Sequence, residues 1–142
     1  MINMFGLTKR QFLKKSKKAL QDTGVQILSL KGLMNQVAFD QITIREAHRR
    51  LDVLRRDMEE TFSVYEKINP PSKCFQLYQR IIKGLVLFFE SIVLYSEYLQ
   101  AKEGNLPADN LDKLEKTREN LESYQGVSLR LSREVDSMLR KK

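Results

Sequence analysis

The sequence predicts an all-α protein, an antiparallel up-down-up-down four-helix bundle with long helices, and three observations support this fold class. Apolar residues recur at heptad spacing through four separate segments. Irregular stretches around residues 39–42, 69–72 and 104–107 separate these segments. Alternating runs typical of strands do not occur outside the heptads. A length of 142 residues suits a single domain that buries its own core, so we expect one domain spanning 1–142.

The third predicted helix is the most apolar and should lie at the centre of the bundle. Its segment 84–99 carries only two charges, Glu90 and Glu97, and is shorter than the roughly 20 apolar residues of a bilayer-spanning helix. One heptad row contains Tyr78, Leu85, Ile92 and Leu99, and a second contains Cys74, Ile81, Phe88 and Tyr95. The opposite side is polar: Gln76, Lys83, Glu90 and Glu97. We therefore expect a buried helix with one narrow solvent-facing stripe.

Helix boundaries are expected at about 8–38, 44–68, 73–103 and 108–140. The first helix has core positions Leu13, Leu20, Ile27, Leu30, Met34 and Val37. Gly24 costs about 1 kcal/mol relative to Ala within a helix and could divide it. The heptad register continues across Gly24, which favours one continuous helix.

The second helix should begin at a capping box, Thr43-Ile44-Arg45-Glu46, and end before Pro70-Pro71. Its predicted core positions are Ala47, Leu51, Leu54, Met58 and Tyr65, with Ile44 and Ile68 at the ends. Arginines and acids alternate on its outer face, which is typical of a solvated surface.

Ser72 follows the two prolines and is the predicted cap of the third helix. Residues 106–110 are expected to form a turn, with Pro107 near the start of the fourth helix. That helix should bury seven residues: Leu111, Leu114, Leu121, Tyr124, Leu131, Val135 and Met138.

The net charge of +7 is concentrated in the first helix. Residues 1–20 contain no acid and six cations, namely Lys9, Arg10, Lys14, Lys15, Lys17 and Lys18. Phe12, Leu13, Ser16, Ala19 and Leu20 occupy the opposite arc of the same helix, which is therefore amphipathic and basic. The rest of the chain is nearly neutral, unlike the diffuse basic surface of a protein built around nucleic acid.

Three interpretations of this basic segment remain open. It can be the polar face of an ordinary bundle helix, a binding site for an anionic protein or membrane surface, or a nucleic-acid site. Aromatic residues do not alternate with the lysines, which argues against nucleic acid. Met1, Ile2, Met4 and Phe5 could add an apolar anchor to a membrane.

The apolar surface of the third helix is wider than a simple bundle requires. Val86, Leu87, Val93 and Leu94 lie beside the two core rows and form a candidate interface. Because monomers seldom expose a large apolar patch, we expect either a second chain or residues 1–7 to cover it.

Residue patterns for catalysis are missing from the sequence. Glu90 and Glu97 belong to the polar stripe, and His48, the single histidine, has no companion at metal-ligand spacing. We therefore expect no catalytic residues, no metal, no cofactor and no small-molecule substrate. The single cysteine, Cys74, excludes an intramolecular disulfide and suits a reducing cytoplasmic location. The apolar N-terminal residues precede the basic ones, opposite to a secretory signal, so we expect no export.

These observations favour a cytoplasmic, non-enzymatic interaction or scaffold module. Its expected partner is a protein, and we expect self-association, with a second copy of the chain forming a homodimer. The alternative function is a peripheral binder of anionic surfaces, either membrane or nucleic acid, through residues 9–18.

Overall fold

Four α-helices make up most of a computed structural model that describes residues 6–105 and 107–141. The helices are α1 (Lys9–Ala38), α2 (Ile44–Glu66), α3 (Phe75–Glu103) and α4 (Pro107–Arg140). They pack as a bundle in which α1 and α3 each contact both α2 and α4, and the described residues contain no strand. The all-α prediction is therefore confirmed, and every helix end lies within two residues of its predicted position.

Local hydrogen bonds explain where α1 and α2 begin. The Thr8 hydroxyl accepts a bond from the Gln11 amide at 3.1 Å, and the Gln11 side chain accepts one from the Thr8 amide at 2.9 Å. This complete capping box was not predicted. At α2 only half of the predicted box forms, because Thr43 caps the Glu46 amide at 3.0 Å while the Glu46 carboxylate binds Arg49 and Arg50. Helix α1 runs without interruption through Gly24, as expected.

The predicted cap at Ser72 is wrong. Residues Ser72–Cys74 form a 3₁₀ turn in which the Cys74 amide donates to the Pro71 carbonyl at 2.8 Å. Cys74 is therefore the residue before α3, and it makes no side-chain capping bond. The turn between α3 and α4 is also shorter than predicted, since α4 already begins at Pro107. At this connection Asn105, with φ of 56°, adopts the left-handed conformation, whereas Gly104 does not.

Helix α3 buries its two heptad rows as predicted, but it is not a central helix, because α1 and α3 each pack between α2 and α4. All eight predicted row residues are buried except Tyr78, which is half-buried. The Phe88 ring stacks on Tyr124 of α4 with 5.3 Å between centroids. A Cβ atom at Gly84 would lie 3.4 Å from the Tyr124 ring, so this glycine lets α3 and α4 approach closely.

The prediction that Leu111 belongs to the core is also wrong, because this residue is 73% exposed. One heptad further along α4 comes Arg118, which is also exposed, so this row lies at the edge of the packed face. The other predicted core positions of α4 are buried or pack against the core: Leu114, Leu121, Tyr124, Leu131, Val135 and Met138. Thr117 is buried as well, which was not predicted.

Two buried hydroxyl pairs connect α1 to its neighbours. Ser16 and the Tyr65 hydroxyl of α2 are 2.7 Å apart, and Thr23 and the Tyr124 hydroxyl of α4 are 2.6 Å apart. Burial raises the pKa of both phenols, whereas the bonds from Ser16 and Thr23 lower it. Both phenols therefore stay neutral near pH 7, and each is hydrogen-bonded inside the bundle.

Phe88→Ala should lower the free energy of unfolding by about 3–5 kcal/mol, because it removes a fully buried ring that packs on Tyr124. Leu111→Ala is the matched control and should change it by less than about 0.5 kcal/mol, since that leucine is exposed. Urea denaturation followed by far-ultraviolet circular dichroism measures both. Similar losses for the two variants would contradict the packing of α4 described above.

Ser16→Ala should cost about 1–3 kcal/mol, because it leaves the Tyr65 hydroxyl buried without its partner. Adding Tyr65→Phe removes the orphaned hydroxyl, so the double variant should be more stable than Ser16→Ala alone. A double-mutant cycle of denaturation measurements tests this. If the two substitutions are simply additive, the hydroxyl pair does not couple α1 to α2.

Candidate functional site

The basic segment of α1 lies entirely on the surface. All six cations are exposed, namely Lys9, Arg10, Lys14, Lys15, Lys17 and Lys18. The apolar arc of the same helix faces the core, where Phe12 and Leu13 are almost completely buried. Lys9 and Arg10 occupy the first turn, where the helix macrodipole favours anions over cations. These two residues therefore do not stabilise the helix end on which they lie.

Only two of the six cations form ion pairs with described residues. Lys17 binds Asp136 of α4 at 3.1 Å, and Lys18 binds Asp22 on α1 at 3.1 Å. For the other four, no carboxylate oxygen of the described chain lies within 4.0 Å: Lys9, Arg10, Lys14 and Lys15. These four side chains are therefore exposed and form no ion pair with a described acid.

Helix α2 is also rich in arginine, but its charges are compensated within the helix. Arg49 and Arg50 bind the Glu46 carboxylate, and these hydrogen bonds lower the pKa of Glu46 to about 2. Arg55 binds Asp52 at 2.6 Å and also Glu59. Such exposed pairs add little stability, yet they leave α2 without a strong local field. The contrast identifies α1 as the main uncompensated basic surface.

Helix α4 packs against α1 and adds cations to its basic surface that were not predicted to lie there. The contact between Lys17 and Asp136 places the C-terminal part of α4 beside the N-terminal part of α1. Three exposed cations lie on this part of α4, namely Arg133, Arg140 and Lys141. Arg130 is also exposed but lines a groove shared with α3. The two acids in this part of α4 already bind other cations, Glu134 with Arg80 at 2.8 Å and Asp136 with Lys17. We refer to the six α1 cations together with these three as the basic end.

The side of α1 that faces α2 has a mixed charge. A groove of about 560 Å³ separates the two helices, and Lys15 and Lys18 line it together with Asp22, Asp57 and Glu60. Acids therefore offset the lysines on this side. The predominantly positive surface is the one shared by α1 and α4.

The candidate interface on α3 is divided by the packing of the helices. Val86 and Val93 are each 39% exposed. Leu87 is half-buried, packs against the core and lines a groove with Val127 and Leu131 of α4. Leu94 is also half-buried. The two valines are thus the most exposed of the four residues, and Leu87 turns towards the bundle.

The N-terminal residues that could cover this surface begin at another place in the fold. The Leu7 amide donates to the Asn69 carbonyl at 3.1 Å, at the connection between α2 and α3. Leu7 itself packs against the core. Residues 1–5 lie outside the described part of the chain, so the prediction that they cover α3 remains a prediction.

Of the residues considered for catalysis, His48 and Glu97 line the same groove between α2 and α3, whereas Glu90 and Cys74 do not line it. Glu97 binds Lys113 of α4 at 3.0 Å, and Glu90 is exposed. His48 is half-buried in a groove between α2 and α3, and Cys74 is a buried free thiol. Within residues 6–105 and 107–141, no group of three or more His, Cys, Asp or Glu side chains could hold a metal ion.

Neither the hydropathy of the helices nor the comparison with known proteins points to a function. Among the described helices, none combines the length and apolar character needed to cross a bilayer. The chain matches no protein-family model, no curated protein and no solved structure.

Proposed function

We propose that the protein is a non-enzymatic helical interaction module that binds an anionic surface through the basic end. The observation that supports this proposal is the set of uncompensated cations on α1, with Lys9 and Arg10 in a helix turn that disfavours positive charge. A bound anion would relieve this repulsion. Arginines on α2, by contrast, are largely paired with acids of their own helix.

The proposal includes an antiparallel arrangement of the helices, which brings the start of α1 and the end of α4 to the same end. Contacts between α1 and α4 support it, because Lys17 pairs with Asp136 whereas the later Thr23 pairs with the earlier Tyr124.

Contacts between α1 and α2 also fit antiparallel helices, because Ser16 pairs with Tyr65 whereas the later Gln26 pairs with the earlier Thr61. Contacts between α3 and α4 show the same reversal. Arg80 pairs with Glu134, whereas Glu97 pairs with Lys113.

An anionic membrane is the surface that we favour. The apolar residues Met1, Ile2, Met4 and Phe5 precede the basic segment in the sequence and could insert between lipid headgroups. Each lysine or arginine close to an anionic bilayer contributes about 1 kcal/mol to binding. Nucleic acid is less favoured because the one aromatic residue among the α1 cations, Phe12, is buried and cannot stack on bases.

Replacing Lys14, Lys15, Lys17 and Lys18 by Gln should weaken binding to vesicles of phosphatidylserine and phosphatidylcholine by at least about tenfold, since four attractive charges are lost. Replacing Arg133, Arg140 and Lys141 by Gln should also weaken it by at least about tenfold if α4 shares the site. Cosedimentation at an ionic strength of about 0.1 M measures both effects. Wild type should not bind vesicles of phosphatidylcholine alone.

A matched control lowers the charge equally at the other end of the bundle, with Arg45, Arg49, Lys102 and Lys116 replaced by Gln. It should leave vesicle binding within about twofold of wild type, because those charges lie beyond the screening length of about 10 Å. Equal losses in the control would mean that net charge, not the basic end, determines binding. Retention on a nucleic-acid column without vesicle binding would exclude the membrane as the partner.

A homodimer is a second candidate function, which the exposure of Val86 and Val93 favours. The two valines are seven residues apart on α3 and so lie on one face of the helix. A second copy of the chain could pack its own valines against them around a twofold axis.

Val86→Glu combined with Val93→Glu should convert such a dimer into a folded monomer, because both side chains lie outside the core. Leu87 is unsuitable for this test, since it packs against α4 within one chain. Light scattering at tens of micromolar measures the mass, and circular dichroism verifies the fold. A wild-type protein that is already monomeric at this concentration would exclude the homodimer.

A further inference from the structure

A pocket of about 260 Å³ opens between α1, α3 and α4, away from the basic end. Its apolar wall includes Met34, Leu114 and Leu121. Tyr95 and Tyr98 of α3 also line it, and their rings stack with 5.4 Å between centroids. The volume is slightly below the roughly 300–1,000 Å³ of sites for drug-sized ligands. The pocket therefore suits a small molecule with an apolar body.

The hydroxyl of Tyr95 has no hydrogen-bond partner among the described residues, although it is buried. The side chain as a whole is 0% exposed. Two of the other buried tyrosines, Tyr65 and Tyr124, each bind a hydroxyl of α1. An unpartnered buried hydroxyl is destabilising, and a ligand that accepts its hydrogen bond would remove that cost.

Charged groups at the mouth of this pocket favour an anion. Lys31 and Arg118 line it and are exposed, and no described carboxylate oxygen lies within 4.0 Å of either. Burial and the neighbouring Tyr98 raise the pKa of the Tyr95 phenol, whereas the positive charge of Arg118 lowers it. The phenol is therefore protonated near pH 7, able to donate, and within the field of Arg118.

We infer that this pocket binds a small organic monocarboxylate whose carboxylate accepts a hydrogen bond from Tyr95 and pairs with Arg118. The apolar body of the ligand would lie against Met34 and Leu121. Glu122 also lines the pocket, and this acid together with the apolar wall disfavours a doubly charged phosphate. The inference does not depend on the proposed membrane function, because it uses different residues.

Nuclear magnetic resonance titration with two probes, hexanoate and benzoate, tests the site. At least one probe should cause saturable amide shifts around Tyr95, Leu114 and Arg118. Their neutral analogues, hexanol and benzyl alcohol, should bind more weakly because they lack the charge. Arg118→Gln should raise the dissociation constant by about tenfold or more, as expected for loss of a charge-assisted hydrogen bond.

Two further variants separate ligand binding from fold stability. Tyr95→Phe should weaken carboxylate binding by about three- to tenfold while leaving the melting temperature of the free protein unchanged or higher, since the lost hydroxyl has no internal partner. Arg130→Gln removes an equivalent charge on α4 outside the pocket and should bind the probes like wild type.

Three results would overturn the inference. The first is the absence of saturable shifts with both carboxylates, which would leave the Tyr95 hydroxyl to bind water alone. The second is equal affinity for the acids and the alcohols, or equal affinity in Arg118→Gln and wild type. The third is a lower melting temperature of free Tyr95→Phe, because the hydroxyl would then have a partner inside the protein.

Discussion

The Tyr124 side chain joins three of the four helices, and the arrangement of the bundle depends on its contacts. Its ring stacks on Phe88 of α3, and its hydroxyl lies 2.6 Å from Thr23 of α1. Gly84 lets α3 approach the same ring closely. Because one rigid side chain must satisfy both a stacking contact and a buried hydrogen bond, the position of α4 along α1 and α3 is tightly constrained.

The distribution of charge follows from that position. With Tyr124 beside Thr23, the end of α4 lies along the start of α1, where Asp136 binds Lys17. The cations of both helices then share one surface, while the arginines of α2 remain paired with acids of their own helix. Lys9 and Arg10 do not stabilise the helix end they occupy, and this observation supports the proposal of an anionic partner.

Three of the four buried tyrosines show how similar side chains can have different roles. Tyr65 and Tyr124 each bind a hydroxyl of α1 and so stabilise the fold. Tyr95 has no hydroxyl partner among the described residues, and it lines a pocket together with Arg118. Its ring contributes to the core through packing, while its hydroxyl adds no hydrogen bond to the described fold. The proposed carboxylate site and the basic end lie in different halves of the bundle.

Heptad spacing predicted the two buried rows of α3 and the six exposed cations of α1, because periodicity reports which face of a helix is buried. Capping and proline signals predicted where α2 begins and ends. Neither kind of signal could show which helix covers a buried face. Leu111 was therefore wrongly assigned to the core, and Arg133, Arg140 and Lys141 were not assigned to the basic surface. The hydroxyl partners of Tyr65 and Tyr124, and the lack of one for Tyr95, were likewise decided by tertiary structure. Such contacts join residues far apart in the chain, and their formation depends on how the helices are positioned along one another.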